Sequence, residues 1–114
     1  MDFKKQKAIY LQIAERLMEQ ILSGEPAEEG RMPSVRDVAA QMGVNPNTVM
    51  RSFEHLQQAG IIYTRRGLGY FVSEGAGAKI REAQRKEFLE EELPQIVAKM
   101  QRLGIGREEL DRQM

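Results

Sequence analysis

Cysteine is absent from the 114 residues, histidine occurs once, and 17 basic side chains balance 17 acidic ones. The first absence excludes a disulfide framework, thiol chemistry and a cysteine-built zinc site. The second leaves His55 with no partner set for acid–base or metal work. The carboxylates fall mainly into helical charge runs such as Glu90-Glu91-Glu92, the pattern of a solvated face. No phosphate-cradling glycine loop occurs either, so the expectation is a protein that is not an enzyme and needs no cofactor or metal. No apolar run approaches the roughly 20 residues of a membrane span, so no membrane partner is expected. The opening MDFKKQK leads straight into an amphipathic pattern without a leader-like stretch, which predicts a cytoplasmic protein.

Zero net charge gives no global pull toward a polyanion. The balance is also local: residues 1–73 carry nine Lys/Arg against eight Asp/Glu, and residues 74–114 carry eight against nine. Any nucleic-acid footprint must therefore come from where the charges sit. With 41% apolar and 30% charged residues, the chain has the make-up of one globular, helix-rich domain plus an appendage.

Apolar spacing predicts a first helix from about Ala8 to Ser23, stopped at Gly24. Its apolar set is broader than the roughly 100° stripe that a one-sided surface helix needs. The excess at Leu11, Met18 and Leu22 fits either a second covering surface or a helix central to its own domain. A polar Gly/Pro loop follows over residues 24–33. A short helix is then expected from Val35 to Met42, with Ser34 as N-cap and Asp37 three positions on. Gly43 ends it, and Asn45-Pro46 opens another helix at once, the asparagine as cap and the proline at the first helical position. Two short helices joined so tightly form a helix-turn-helix.

In VNPNTVMRSFEHL and the Gln57-Gln58 pair after it, Val49, Phe53 and Leu56 recur as one buried stripe, while Asn47, Arg51 and Gln58 point away from it. Thr48 and Asn47 lie in the first turn, where a recognition helix enters the major groove. Asparagine pairs with adenine and arginine with guanine in a bidentate way, which makes Asn47 and Arg51 the candidate base readers. Glu54 could accept from a cytosine, although a solvated glutamate is the plainer reading. The helix N-terminus is also expected to attract a phosphate. Arg36 sits in the first turn of its helix against the macrodipole, a placement that a phosphate or base edge would explain. IIYTRRGLGYFV reads as a β-hairpin whose tip holds Arg65, Arg66 and Gly67. Alone, those arginines could be edge-strand charge; behind a helix-turn-helix they read as a DNA-contacting wing. Lys4, Lys5 and Lys7 could add phosphate contacts or form a solvated start.

The expected fold is mainly α with a small β-hairpin: a winged helix-turn-helix over residues 1–74, then a C-terminal helical dimerisation segment over 75–114. After a Gly75-Ala76-Gly77 hinge, a charged helix from about Ala78 to Leu103 carries Leu89, Leu93, Ile96, Met100 and Leu103 at heptad spacing. Pro94 is expected to kink it rather than break it, because the apolar phase continues across the proline. Gly104 and Gly106 are expected to close it. The seam fits a second copy of the chain, or the apolar side of the first helix.

Three segments together resemble the GntR family of bacterial transcription regulators: AIYLQIAERLMEQILSG, RMPSVRDVAAQMGVNPNTVMRSFEHLQQAGII and TRRGLGYFV, covering residues 8–72. The Pro-Ser-x-Arg step, the Gly-Val-Asn-Pro-Asn-Thr-Val turn and the Arg-Gly-x-Gly-x-Phe-Val wing are specific in combination. The resemblance implies a homodimer that binds a double-stranded DNA operator, with contacts at Arg36, at Asn45, Asn47 and Thr48, and at Arg66 and Gly67. The stretch of about forty residues after the wing resembles the short-tailed YtrA-like branch, whose two C-terminal helices dimerise. No small-molecule effector is assigned. The competing reading is a winged-helix module for protein–protein assembly without specific DNA binding; arginines on all three DNA-facing elements tell against it.

Overall fold

The computed structural model describes residues 7–114, and among them the helical pattern opens with α1, Ile9–Leu22. The chain then forms α2 (Val35–Met42), α3 (Pro46–Gln58), β1 (Ile62–Arg65), β2 (Gly69–Val72), α4 (Ala76–Glu87), α5 (Leu93–Arg102) and α6 (Arg107–Gln113). A π-helical turn, Phe88–Glu92, lies between α4 and α5. The chain divides into two compact units, one ending at Arg81 and one beginning at Glu82.

The first unit is a winged helix-turn-helix. Its local signals act as the residue types dictate. Ser34 Oγ accepts the Asp37 N–H at 3.0 Å and starts α2. Gly43 ends α2 in the left-handed region, φ 66°, and Val44 N–H returns to the Ala39 carbonyl at 3.1 Å. Asn45 Oδ1 accepts the Asn47 N–H at 2.8 Å, and Pro46 takes the first position of α3. The turn between the helices is thus three residues long, which fixes α3 against α2.

The core gathers on α3. Phe53, Val49 and Leu56 are fully buried among Leu17 of α1, Val38 of α2, and Ile61, Ile62 and Val72 of the hairpin region. The Phe53 ring meets Tyr70 of β2 edge to face, centroids 5.0 Å apart. Ser52 is buried on the same side, and its hydroxyl donates to the Tyr10 carbonyl of α1 at 2.7 Å, so this polar atom is satisfied across the helix pair. Of the surplus apolar residues on α1, Met18 is core and Leu22 packs against the core within the same unit. Central burial in its own domain therefore accounts for both.

The hairpin is antiparallel, with Ile62 opposite Val72 and Arg65 opposite Gly69. The segment expected as a plain polar loop supplies a further edge. Glu29 N–H donates to the Val72 carbonyl, Val72 N–H to the Gly30 carbonyl and Met32 N–H to the Tyr70 carbonyl, all at 2.8–2.9 Å, with a bridge between Arg31 and Phe71. So β2 is flanked on both sides.

Residues 75–77 are not the expected hinge. Gly75 makes a turn at φ 75° with its N–H held by Glu28 Oε1 at 2.8 Å, and α4 begins at once. Ala76 and Ile80 are fully buried, which carries the first unit to Arg81.

In the second unit the helical backbone continues through Pro94 without a break. A proline leaves the carbonyl four residues earlier, that of Glu90, without a donor and crowds it. The chain answers by widening: Leu93 N–H donates to the Phe88 carbonyl, five residues back, so the π turn absorbs the misfit just ahead of the ring. Gly104, φ 69°, closes α5, whereas Gly106 serves as N-cap of α6 instead of closing a helix. Leu89, Ile96 and Leu103 are exposed, Leu103 at 64%, and Leu93 and Met100 are half-buried.

Two substitutions check this account. Phe53→Ala should cost about 3–5 kcal/mol in chemical denaturation, because the cavity lies where three elements converge. A loss below about 1 kcal/mol would contradict that placement. No atom lies within 4 Å of a Cβ built on Gly43, so Gly43→Ala should cost about 1 kcal/mol through its backbone angle alone. Gly43→Asn should recover part of that loss, since asparagine tolerates the left-handed region.

Candidate nucleic-acid interface

The exposed face of α3 follows from its buried one. With Val49, Ser52, Phe53 and Leu56 turned inward, Asn47, Arg51, Glu54 and Gln58 are exposed and Thr48 is half-exposed. This outward strip is bordered on one side by α1 and on the other by the hairpin. On the α1 side the Arg51 guanidinium lies over the Tyr10 ring, 4.1 Å from its centroid. On the hairpin side the Tyr70 hydroxyl approaches Met50 Sδ at 3.7 Å, and Met50 is itself exposed at the rim.

The start of α3 corrects one expectation. A phosphate needs unpaired N–H groups there. Pro46 has none, the Asn47 N–H is taken by the Asn45 side chain, and the N–H groups of Thr48 and Val49 both return to the Asn45 carbonyl at 3.0 and 3.2 Å. What this helix offers outward is side chains. Asn45 is exposed, and its Oδ1 is engaged in the cap, which leaves its amide nitrogen as the outward donor.

Arg36 is exposed in the first turn of α2 and, like Arg66, enters no ion pair among the described residues. The wing turns through Arg65-Arg66-Gly67-Leu68, closed by the Leu68 N–H on the Arg65 carbonyl at 2.9 Å. Gly67 has φ 77°, the left-handed angle that the third position of a type II turn demands. The extreme tip is thus Arg66, Gly67 and the exposed Leu68.

Arg65 is placed differently from Arg66. Its guanidinium is folded onto the outer face of the hairpin, 4.5 Å from the Phe71 centroid. It donates to the Tyr63 hydroxyl at 3.0 Å and to Glu29 Oε2 at 3.4 Å, and Tyr63 in turn donates to the same carboxylate oxygen at 2.6 Å. One of the two tandem arginines is therefore tethered and partly neutralised, and the other is free. Lys7 pairs with Glu15, while Lys4 and Lys5 lie outside the described residues.

Sequence reasoning missed Arg31. It is exposed, unpaired among the described residues, and runs beside the wing, its guanidinium nitrogens 3.8 Å from where a Cβ on Gly69 would stand. Only the pairing of residues 29–32 along β2 brings it there, and a Gly/Pro-rich polar stretch gives no such signal. In the second unit Phe88, Val97 and Leu110 are exposed as well as Leu89, Ile96 and Leu103, so the apolar surface is wider than the five-residue seam. The extra width was legible in part: Phe88 and Val97 adjoin seam residues in the sequence.

Comparison with known proteins gives one answer. The model of the bacterial regulatory proteins of the gntR family matches residues 9–72. The HTH-type transcriptional regulator YhcF of Bacillus subtilis (strain 168) is 37% identical over 109 residues, covering 96% of this chain and 88% of its own. The HTH-type transcriptional repressor YtrA of the same organism is 33% identical over 109 residues, covering 96% and 83%. The crystal structure of a GntR-family transcriptional regulator from Bacteroides thetaiotaomicron superposes with a TM-score of 0.80 at 46% identity, covering 92% of this chain and 91% of that one. These relatives are transcription regulators and not enzymes.

Proposed function

Because the chain belongs to the gntR family of bacterial regulatory proteins, we propose that it is a DNA-binding repressor that acts in the cytoplasm on a palindromic operator as a homodimer. Residues 1–74 are the DNA-binding part in this reading, and residues 75–114 are the dimerisation segment, whose first residues up to Arg81 pack into the first unit. The observation that carries it is the two-sidedness of α3. Its inner face is locked by Phe53, Val49 and Leu56, and its outer face presents Asn47 and Arg51 with nothing apolar between them.

The contacts divide by chemistry. Arg51, with Asn47 and Thr48 beside it, reads base edges in the major groove, where arginine suits guanine and asparagine suits adenine. Arg36 and the outward amide of Asn45 meet phosphates and fix the register. The tip, Arg66 and Gly67, enters the neighbouring minor groove, with Arg65 held behind it. The homodimer rests on the tail: α5 and α6 and the π turn bury no residue in the single chain, yet they carry Leu89, Leu93, Ile96, Met100 and Leu103. Apolar side chains in that number gain by being removed from water against a second copy. Repression follows the relative YtrA, a transcriptional repressor.

Selection from a random duplex pool at two salt concentrations tests the whole reading. An enriched palindrome, bound less tightly as salt rises, is the expected result. No enrichment and no salt dependence would favour the assembly module. On the selected site, Arg51→Ala should cost about 1–3 kcal/mol and blur one base position. Arg66→Ala should weaken all sequences and reduce the salt slope by about 1, whereas Arg65→Ala should change the slope less because Glu29 already compensates its charge. Ile96→Asp combined with Leu103→Asp should give a monomer in sedimentation and lose cooperative binding to the two half-sites. A dimer that persists in that variant would remove the tail from the interface.

A further inference from the structure

We propose that Tyr10, on α1, is the positioning residue for the base-reading arginine of α3, and so sets specificity without itself touching DNA. The inference rests on the reading of Arg51 as a base reader given above. Three residues of α3 converge on this one tyrosine. Arg51 lays its guanidinium over the ring at 4.1 Å. His55, one turn further along, meets the ring edge to face with centroids 6.2 Å apart. Between them Ser52 Oγ donates to the tyrosine's own carbonyl at 2.7 Å, and that hydroxyl is fully buried.

The consequence follows from the shape of a guanidinium. Its π face and its N–H edge are separate surfaces: stacking on an aromatic ring consumes the face and leaves the in-plane donors directed outward. A guanine O6/N7 pair is recognised by that edge. An arginine on an open helix face samples many rotamers, and holding one of them on binding costs side-chain entropy. Here the ring selects the orientation beforehand. The tyrosine is itself held from α3, its backbone by the Ser52 bond and its side chain by the His55 contact. The remaining side chains on the outer face of α3, Asn47, Glu54 and Gln58, have no aromatic support of this kind among the described residues.

The test uses the full chain and its selected operator, with every single base-pair variant of one half-site. It compares Arg51→Ala, Tyr10→Phe, Tyr10→Leu, Tyr10→Ala, and Tyr10→Ala in the Arg51→Ala background. Tyr10→Leu keeps an apolar side chain at the site while removing the π face, and Tyr10→Phe controls for the lost hydroxyl, so the pair separates platform from packing if Tyr10→Ala unfolds. Tyr10→Phe should bind as the unmodified chain does. Tyr10→Leu and Tyr10→Ala should lose about three- to tenfold on the operator, and the loss should fall on the same base pair whose discrimination Arg51→Ala abolishes. In the Arg51→Ala background, Tyr10→Ala should add nothing. Loss spread evenly over all sequences, unchanged discrimination in Tyr10→Leu, or tighter binding through release of a sequestered arginine would each overturn the proposal. If Arg51→Ala blurs no base pair, the base-reading assignment fails and the positioning role falls with it. If Arg51→Ala blurs one and Tyr10→Leu does not, only the positioning role is lost.

Discussion

The burial of Phe53 is the constraint on which the DNA-binding unit depends. A short helix with polar residues over half its surface has little reason to hold one orientation on its own. Phe53 supplies that reason, because helices α1 and α2 and strand β2 all present apolar side chains around it and Tyr70 meets it edge to face. Once that ring is fixed, the rotation of α3 about its axis is fixed too. The directions in which Asn47 and Arg51 leave the helix then follow from helical geometry, and the Tyr10 ring beneath the guanidinium acts only on the Arg51 rotamer. The outward face of α3 is thus oriented from its buried side.

Polar interactions refine what the apolar core decides. The buried Ser52 hydroxyl ties α3 to the start of α1, which brings Tyr10 beneath Arg51. The Glu29 carboxylate ties the loop before α2 to Tyr63 and Arg65 on the hairpin. Each of these reaches across more than thirty residues of chain and makes an exposed side chain less free. An arginine that is held in place gives up less entropy when it binds, and a held surface is a more selective one.

Much of this was legible in the sequence because the signals were local. Ser34, Gly43, Asn45 and Pro46 act on their own backbone neighbours, so the helix-turn-helix could be read residue by residue, and Gly67 and Gly69 announced the hairpin. The features that escaped all depend on who lies next to whom. Arg31 belongs to the wing only because residues 29–32 pair along β2, and Arg65, folded onto Phe71 and Tyr63 of its own hairpin, meets a carboxylate only because Glu29 arrives beside it. Pro94 showed that the helix would be disturbed, yet the backbone solved the problem one turn earlier, in the π turn, where no single residue type marks it. The phosphate site expected at the start of α3 failed for a countable reason: each of the first four positions has either no donor or a donor already in use.

A chain of zero net charge is a poor candidate for a polyanion's partner only if its charges are interchangeable, and here they are not. Ion pairing removes Lys7 and Arg65 from the unit's outward charge by matching them with Glu15 and Glu29. Arg31, Arg36 and Arg66 remain unmatched among the described residues, and Arg51 rests on a ring that does not neutralise it. The field near the proposed interface is therefore set by these four guanidinium groups and the exposed Glu54 carboxylate rather than by the sum over the chain, since charges beyond about 10 Å are screened at ordinary salt. Local cations on a neutral body favour a binder that lets go of random DNA easily. In the proposed reading its non-specific affinity is limited to the few phosphates those groups would reach, and the rest comes from base contacts that only the right sequence supplies.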